Sequence, residues 1–104
     1  MYKKLSLAFY KSCEQLEKYN KADSFLLVKE SEELYKLINN LSKFLPQIAE
    51  ILAYNIREAT KYNEFEIVER DSQQLLQIIS KTTLSDRFKK PIILTIEKIL
   101  KILS

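Results

Sequence analysis

The sequence predicts an all-α protein, an antiparallel up-and-down helical bundle of four to five helices, and three observations carry that expectation. Glycine is absent from all 104 residues, where average usage would place about seven. Architectures that need repeated positive-φ positions, among them tight hairpins, Gly-rich phosphate loops and nucleophile elbows, are thereby disfavoured. Apolar residues recur at steps of three and four through most of the chain, the spacing of one helical face. The breaks between these runs are a few residues long, which favours antiparallel neighbours. A chain of this length forms one domain, residues 1–104, around one core.

The first helix is expected over residues 2–19, with Tyr2, Leu5, Phe9, Cys13 and Leu16 on one face and a stop near Asn20. Asp23 or Ser24 can cap the second, in which Leu27, Leu34, Ile38, Leu41 and Leu45 share a face. Its stretch Lys29 to Glu33 has no apolar residue, yet it is read as one continuous helix. Pro46 holds Leu45 extended and suits a helix start, so a third helix follows, carrying Ile48, Leu52, Ile56 and Ala59 inward. Asn63 breaks the chain again and is placed to cap the fourth helix, with Glu66 completing a capping box. That helix buries Phe65, Val68, Leu75 and Ile79, with Ser72 inside the stripe. Thr83 and Asp86 form a similar pair ahead of the fifth helix, which Pro91 must start or kink because it has no amide donor. Asn55 and Ser72 are candidates for a buried polar pair, and the tyrosines Tyr10, Tyr19, Tyr35, Tyr54 and Tyr62 for positions at the core margin.

Composition removes much chemistry. With no histidine there is no Ser/His or Cys/His nucleophile system, no usual general base, and almost no zinc or non-haem iron ligand set. The single cysteine, Cys13, cannot form an internal disulfide and reads as a small core residue. The apolar patch from Leu5 to Tyr10 is too short for a signal sequence, and no run reaches the roughly 18 apolar residues of a membrane span. The expectation is a soluble, cytoplasmic protein without catalytic residues, metal or cofactor.

One carboxylate constellation stands apart. Glu30 with Glu33, and Glu66 with Glu69, are spaced to share a helical face and to hold Mg²⁺ between them. On those four residues the chain resembles the all-α nucleotide pyrophosphohydrolases, whose ExxE and ExxD motifs bind Mg²⁺ on bundle helices. The resemblance implies a Mg-dependent nucleotide hydrolase. The second pair departs from it in being ExxE, and first-turn or solvated-face acids account for both pairs as well.

Charge is uneven. Residues 1–21 carry five lysines against two glutamates and residues 75–104 six basic side chains against two acidic, whereas 22–74 carry six basic against ten acidic. If the terminal helices lie together, Lys3, Lys4, Lys11, Arg87, Lys89 and Lys90 form one positive surface. Binding of RNA or DNA is the alternative reading this supports, although only three arginines are present for base readout.

The C-terminal stretch "KKPIILTIEKILKILS" carries the functional reading. Eight of the thirteen residues from Pro91 to Leu103 are Ile or Leu. At about 100° per residue they spread over an arc of roughly 180° and leave a polar strip of Glu97, Lys98 and Lys101 with Leu94 inside it. An edge helix needs an arc of little more than about 100°, so this one needs two neighbours. They are two helices of the same chain, or else Ile93, Leu94 and Leu100 stay exposed and meet a partner, a second copy of the chain included. A surface-bound membrane helix would have a broader, Lys-rich polar face. The expected function is a non-catalytic protein-binding module, with Ile93, Leu94 and Leu100 as contacts flanked by Lys90, Lys98 and Lys101. In size, lysine content and helix count the chain looks like the small immunity proteins of bacteriocin producers and several phage-encoded inhibitors, which implies a small adaptor, inhibitor or immunity-type role.

Overall fold

The computed structural model describes Tyr19 and residues 22–104. Apart from Tyr19, the helix expected over 2–19, with Cys13 and the lysines Lys3, Lys4 and Lys11, and Asn20 after it lie outside the described residues. Among those described there are four α-helices and no strand: α1 (Ser24–Asn40), α2 (Gln47–Lys61), α3 (Phe65–Lys81) and α4 (Asp86–Leu103), with a short 3-10 turn at Ser42–Phe44. They form a closed square in which α1 and α3 each pack against both α2 and α4. Successive helices run antiparallel, so the fold is the predicted all-α bundle.

The helix starts and stops are local chemistry. Asp23 caps α1, its carboxylate accepting from the Leu26 amide at 3.1 Å, a bond that satisfies one of the orphan donors of the first turn. The stretch through Ser31 is continuous helix, as expected. The helix closes at Asn40 rather than near residue 45, because Leu41 donates back to Ile38 in a tight three-residue step and Leu45 is held extended (φ −116°, ψ 152°) ahead of Pro46. Leu41 and Leu45 are therefore half-buried beyond the helix instead of continuing its face.

Asn63 corrects the capping expectation. It is the only described residue with positive φ (56°). Its amide donates to Thr60 at 3.4 Å and the Glu64 amide to Ala59 at 3.0 Å, the paired bonds of a Schellman stop. Asn63 thus ends α2 in the absence of glycine, and Glu64 stands at the N-cap of α3 without a side-chain hydrogen bond. The Thr83 and Asp86 box is likewise replaced by Ser85 at the cap position, also with no side-chain bond.

The core is Leu27, Leu34 and Ile38 from α1, Leu52 and Ile56 from α2, Val68, Leu75 and Ile79 from α3, and Ile92, Ile96, Ile99 and Leu103 from α4. On α2 the inward stripe is completed by Ala49, Ala53, Ala59 and Thr60. Small side chains let α1 and α3 approach α2 closely, and this turns the helix so that Ile48, expected inside, is 43% exposed. Phe65, also expected inside, is half-buried at the bundle margin and packs its ring 5.6 Å from that of Tyr19.

The buried polar pair is not Asn55 with Ser72, since Asn55 is exposed. It is Ser31 with Thr60, whose hydroxyl oxygens lie 3.0 Å apart across the α1/α2 contact. Each hydroxyl also reaches a carbonyl of its own helix, Val28 at 2.8 Å and Arg57 at 2.7 Å. Two protons serve three contacts, so one hydroxyl donates to its own helix while the other donates across. Ser72 is buried as expected but its Oγ has no hydrogen-bond partner among the described residues. Ser72→Ala removes an unsatisfied buried group from a helix interior, and it should stabilise the fold by about 1 kcal/mol. Thermal melts should show a rise in Tm of roughly 4–8 °C; an unchanged or lower Tm would mean that the hydroxyl is satisfied.

Candidate protein-interaction surface

Helix α4 is built around Pro91, the sixth residue of the helix. Its ring withholds a donor from the Arg87 carbonyl, and the buried Thr95 hydroxyl donates to the Pro91 carbonyl at 2.8 Å. From there the wide apolar arc is divided among three environments. Ile92, Ile96, Ile99 and Leu103 enter the core, Ile93, Leu100 and Ile102 are half-buried and pack on its margin, and Leu94 stays 49% exposed. The two neighbours that the arc requires are α1 and α3. Among the described helices each has two such neighbours.

The structure therefore divides the expected contact residues. Leu94 stands on the outer face among Lys90, Lys98 and Lys101, all exposed. Ile93 and Leu100 lie on the edge of α4 turned toward α3, where Lys89 Nζ donates to the Ser80 carbonyl at 3.2 Å. Leu94 forms the ridge between two shallow depressions. One lies on α4 itself, beside Lys90, Ile93 and Glu97. The other follows the α1/α4 seam, with Lys29, Glu30, Glu33 and Leu37 facing Pro91 and Lys98. An exposed apolar ridge between two hollows, rimmed by cations, is a shape that another surface can close over.

Two further apolar patches were missed in the sequence. Along α2, Ile48, Ile51 and Tyr54 are 43%, 47% and 47% exposed. The signal that finds them is the alanine pattern of α2, since a stripe led by Ala49 and Ala53 leaves Ile48 and Ile51 outside. At one end of the bundle, Phe44 (71% exposed) and Phe88 (45%) surround a hollow with Leu41 and Leu84. This patch joins two loops and has no periodicity to reveal it. Arg57 stacks on Tyr35, 4.1 Å from its centroid, with Tyr54 at 5.3 Å; this is a cation–π clamp across α1 and α2.

The acidic pairs do not come together. Glu30 and Glu33 sit on α1 beside Lys29 and Lys98, while Glu66 and Glu69 sit on α3, diagonally across the square, with Glu69 accepting from Tyr19 Oη at 3.3 Å. Among the described residues no group of three Cys, Asp or Glu side chains converges as a metal ion would need. No described helix is long and apolar enough to cross a membrane.

The described residues thus form an all-α bundle of four helices with an apolar ridge on the last of them. No protein-family model, no curated protein and no solved structure matches the chain.

Proposed function

We propose that the protein acts by binding another protein and not by catalysis, as a small helical adaptor, inhibitor or immunity-type protein whose contact surface is the outer face of α4. The observation that carries this reading is Leu94, a large apolar side chain half exposed on a face otherwise made of Lys90, Lys98, Lys101 and Glu97. Covering such a side chain gains roughly 1.5–3 kcal/mol from full burial, and somewhat less from its present half-exposed state. The lysines around it steer and orient an acidic partner. A second copy docked through the same face would set the lysines of both chains against one another, which disfavours self-association there.

Light scattering should accordingly find a monomer, and immobilised protein should retain an acidic partner from its native source that Leu94→Glu loses by at least about tenfold, a change of about 1.4 kcal/mol. The circular dichroism melt of that variant should match wild type, since position 94 is outside the core. Equal retention by both would refute the assignment of this face. A dimer that Leu94→Glu dissociates would transfer it to a second copy, and salt-sensitive retention of RNA or DNA would transfer it to nucleic acid.

A further inference from the structure

Because successive helices run antiparallel, the α1/α2 turn and the α3/α4 turn close the same end of the bundle. Between them lies an open hollow of about 360 Å³, lined by Leu41, Phe44, Thr83, Leu84, Ser85 and Phe88. Both phenylalanine rings are exposed, so neither is used up in the core. Residues 41–46 and 81–89, which make the two turns, carry Lys43, Lys81, Arg87 and Lys89 against Asp86 alone. The α2/α3 turn at the other end has the opposite balance, with Glu64 and Glu66 against Lys61 over residues 61–66. Lys43, Lys81 and Arg87 are exposed, and among the described residues the ion pairs are made instead by Arg57, Lys61 and Arg70. Three cations beside two open rings are thus available to an anion from outside.

We propose that this end of the bundle binds single-stranded nucleic acid, with a base entering the hollow against Phe44 and Phe88 and the flanking phosphates on Lys43, Lys81 and Arg87. The lining holds no cation, so a phosphate finds no partner inside and what enters must have apolar faces. Thr83 and Ser85 line the hollow as well, and the Ser85 side chain makes no capping bond, which leaves polar groups for the edge of a ring. An acyl chain would cover these hydroxyls without matching them; a nucleobase has apolar faces and a polar edge. Aromatic side chains beside a positive track hold successive bases of a single strand without reading sequence. Arg87 lies 5.7 Å from the Phe88 centroid, which places cation and ring on one surface. A duplex keeps its bases in the stack and has none to offer the hollow. The site is separate from the outer face of α4, since Leu94 stands six positions beyond Phe88, about 120° round the helix at 100° per residue.

Fluorescence anisotropy of labelled oligothymidylate and oligouridylate titrated with the intact protein tests this. Both should bind at low salt, with log affinity falling against log salt at a slope of about −2, from three phosphates at about 0.7 each. Phe44→Ala and Phe88→Ala should each weaken binding by at least about fivefold. Lys43→Gln or Arg87→Gln should flatten the salt slope by about 0.7. All four side chains are exposed, so circular dichroism melts of the variants should match wild type. Leu94→Glu should bind the strand as wild type does, which keeps this site apart from the protein partner of α4. Absence of binding by either strand at low salt would overturn the proposal, as would equal affinity for a duplex of the same length. Unchanged affinity in both phenylalanine variants would also overturn it, and loss in Leu94→Glu with none in those variants would move the nucleic acid to α4. Capture by phosphatidylserine vesicles without binding of either oligonucleotide would mark this end as a membrane surface instead.

Discussion

Ile96→Ala is expected to destabilise the protein by about 2–5 kcal/mol, whereas Leu94→Ala, two residues earlier on the same helix, should cost less than about 1 kcal/mol. Ile96 is fully buried and Leu94 half exposed, so the first substitution opens a cavity in the core and the second trims a side chain already in contact with water. Against a total stability of 5–15 kcal/mol for a typical domain, the first is a large fraction. Urea denaturation with unchanged m-value should show the midpoint falling strongly for the first variant alone. Similar losses from both would mean that α4 is turned differently, and the proposed contact face would go with it.

The second large effect lies on α2. Ile56→Ala should cost about 2–5 kcal/mol and Ile51→Ala less than about 1 kcal/mol, since Ile56 is fully buried while Ile51 is 47% exposed. This pair checks the helix on which Ile48, expected inside, is exposed while Leu52, Ile56 and Ala59 are buried as expected. A penalty for Ile51→Ala equal to that of Ile56→Ala would show that the alanine stripe does not face the core, or that a partner covers Ile51 in solution.

What was legible in the sequence is what repeats along a helix. The stripe Leu27, Leu34, Ile38 and the stripe Val68, Ser72, Leu75, Ile79 are buried as their spacing predicts, because apolar side chains at steps of three and four have one way to leave water. The α4 arc was legible for the same reason, including the position of Leu94 outside it. On α2, Leu52, Ile56 and Ala59 are buried as expected, whereas the burial of Ala49 and Ala53 and the exposure of Ile48 were not legible, because the decisive residues are alanines. Their small burial energy gives a weak sequence signal, yet their size sets how closely α1 and α3 approach. Asn63 was read as a cap for the helix that follows when it closes the helix before. Asparagine serves both roles, and only the Ala59 and Thr60 carbonyls that accept from residues 64 and 63 decide between them. The Ser31–Thr60 pair was hidden because its members lie 29 positions apart and Ser31 sits in a stretch without apolar residues.

Of the expected contact residues, the four that share the outer face, Lys90, Leu94, Lys98 and Lys101, were legible as a group. Ile93 and Leu100 were assigned to that face because they border the arc, and they lie instead on the edge of α4 turned toward α3, half-buried against the core. The patch of Phe44 and Phe88 lies where two loops meet, and no local rule brings those residues together.

The proposed partner surface is the outer face of α4 and not that of α2. Titration calorimetry of the retained partner against wild type, Leu94→Glu and Ile51→Glu tests it most directly. The account predicts that Leu94→Glu weakens binding by at least about tenfold while Ile51→Glu binds as wild type does. Loss of affinity in Ile51→Glu with none in Leu94→Glu would contradict it and move the binding surface to α2.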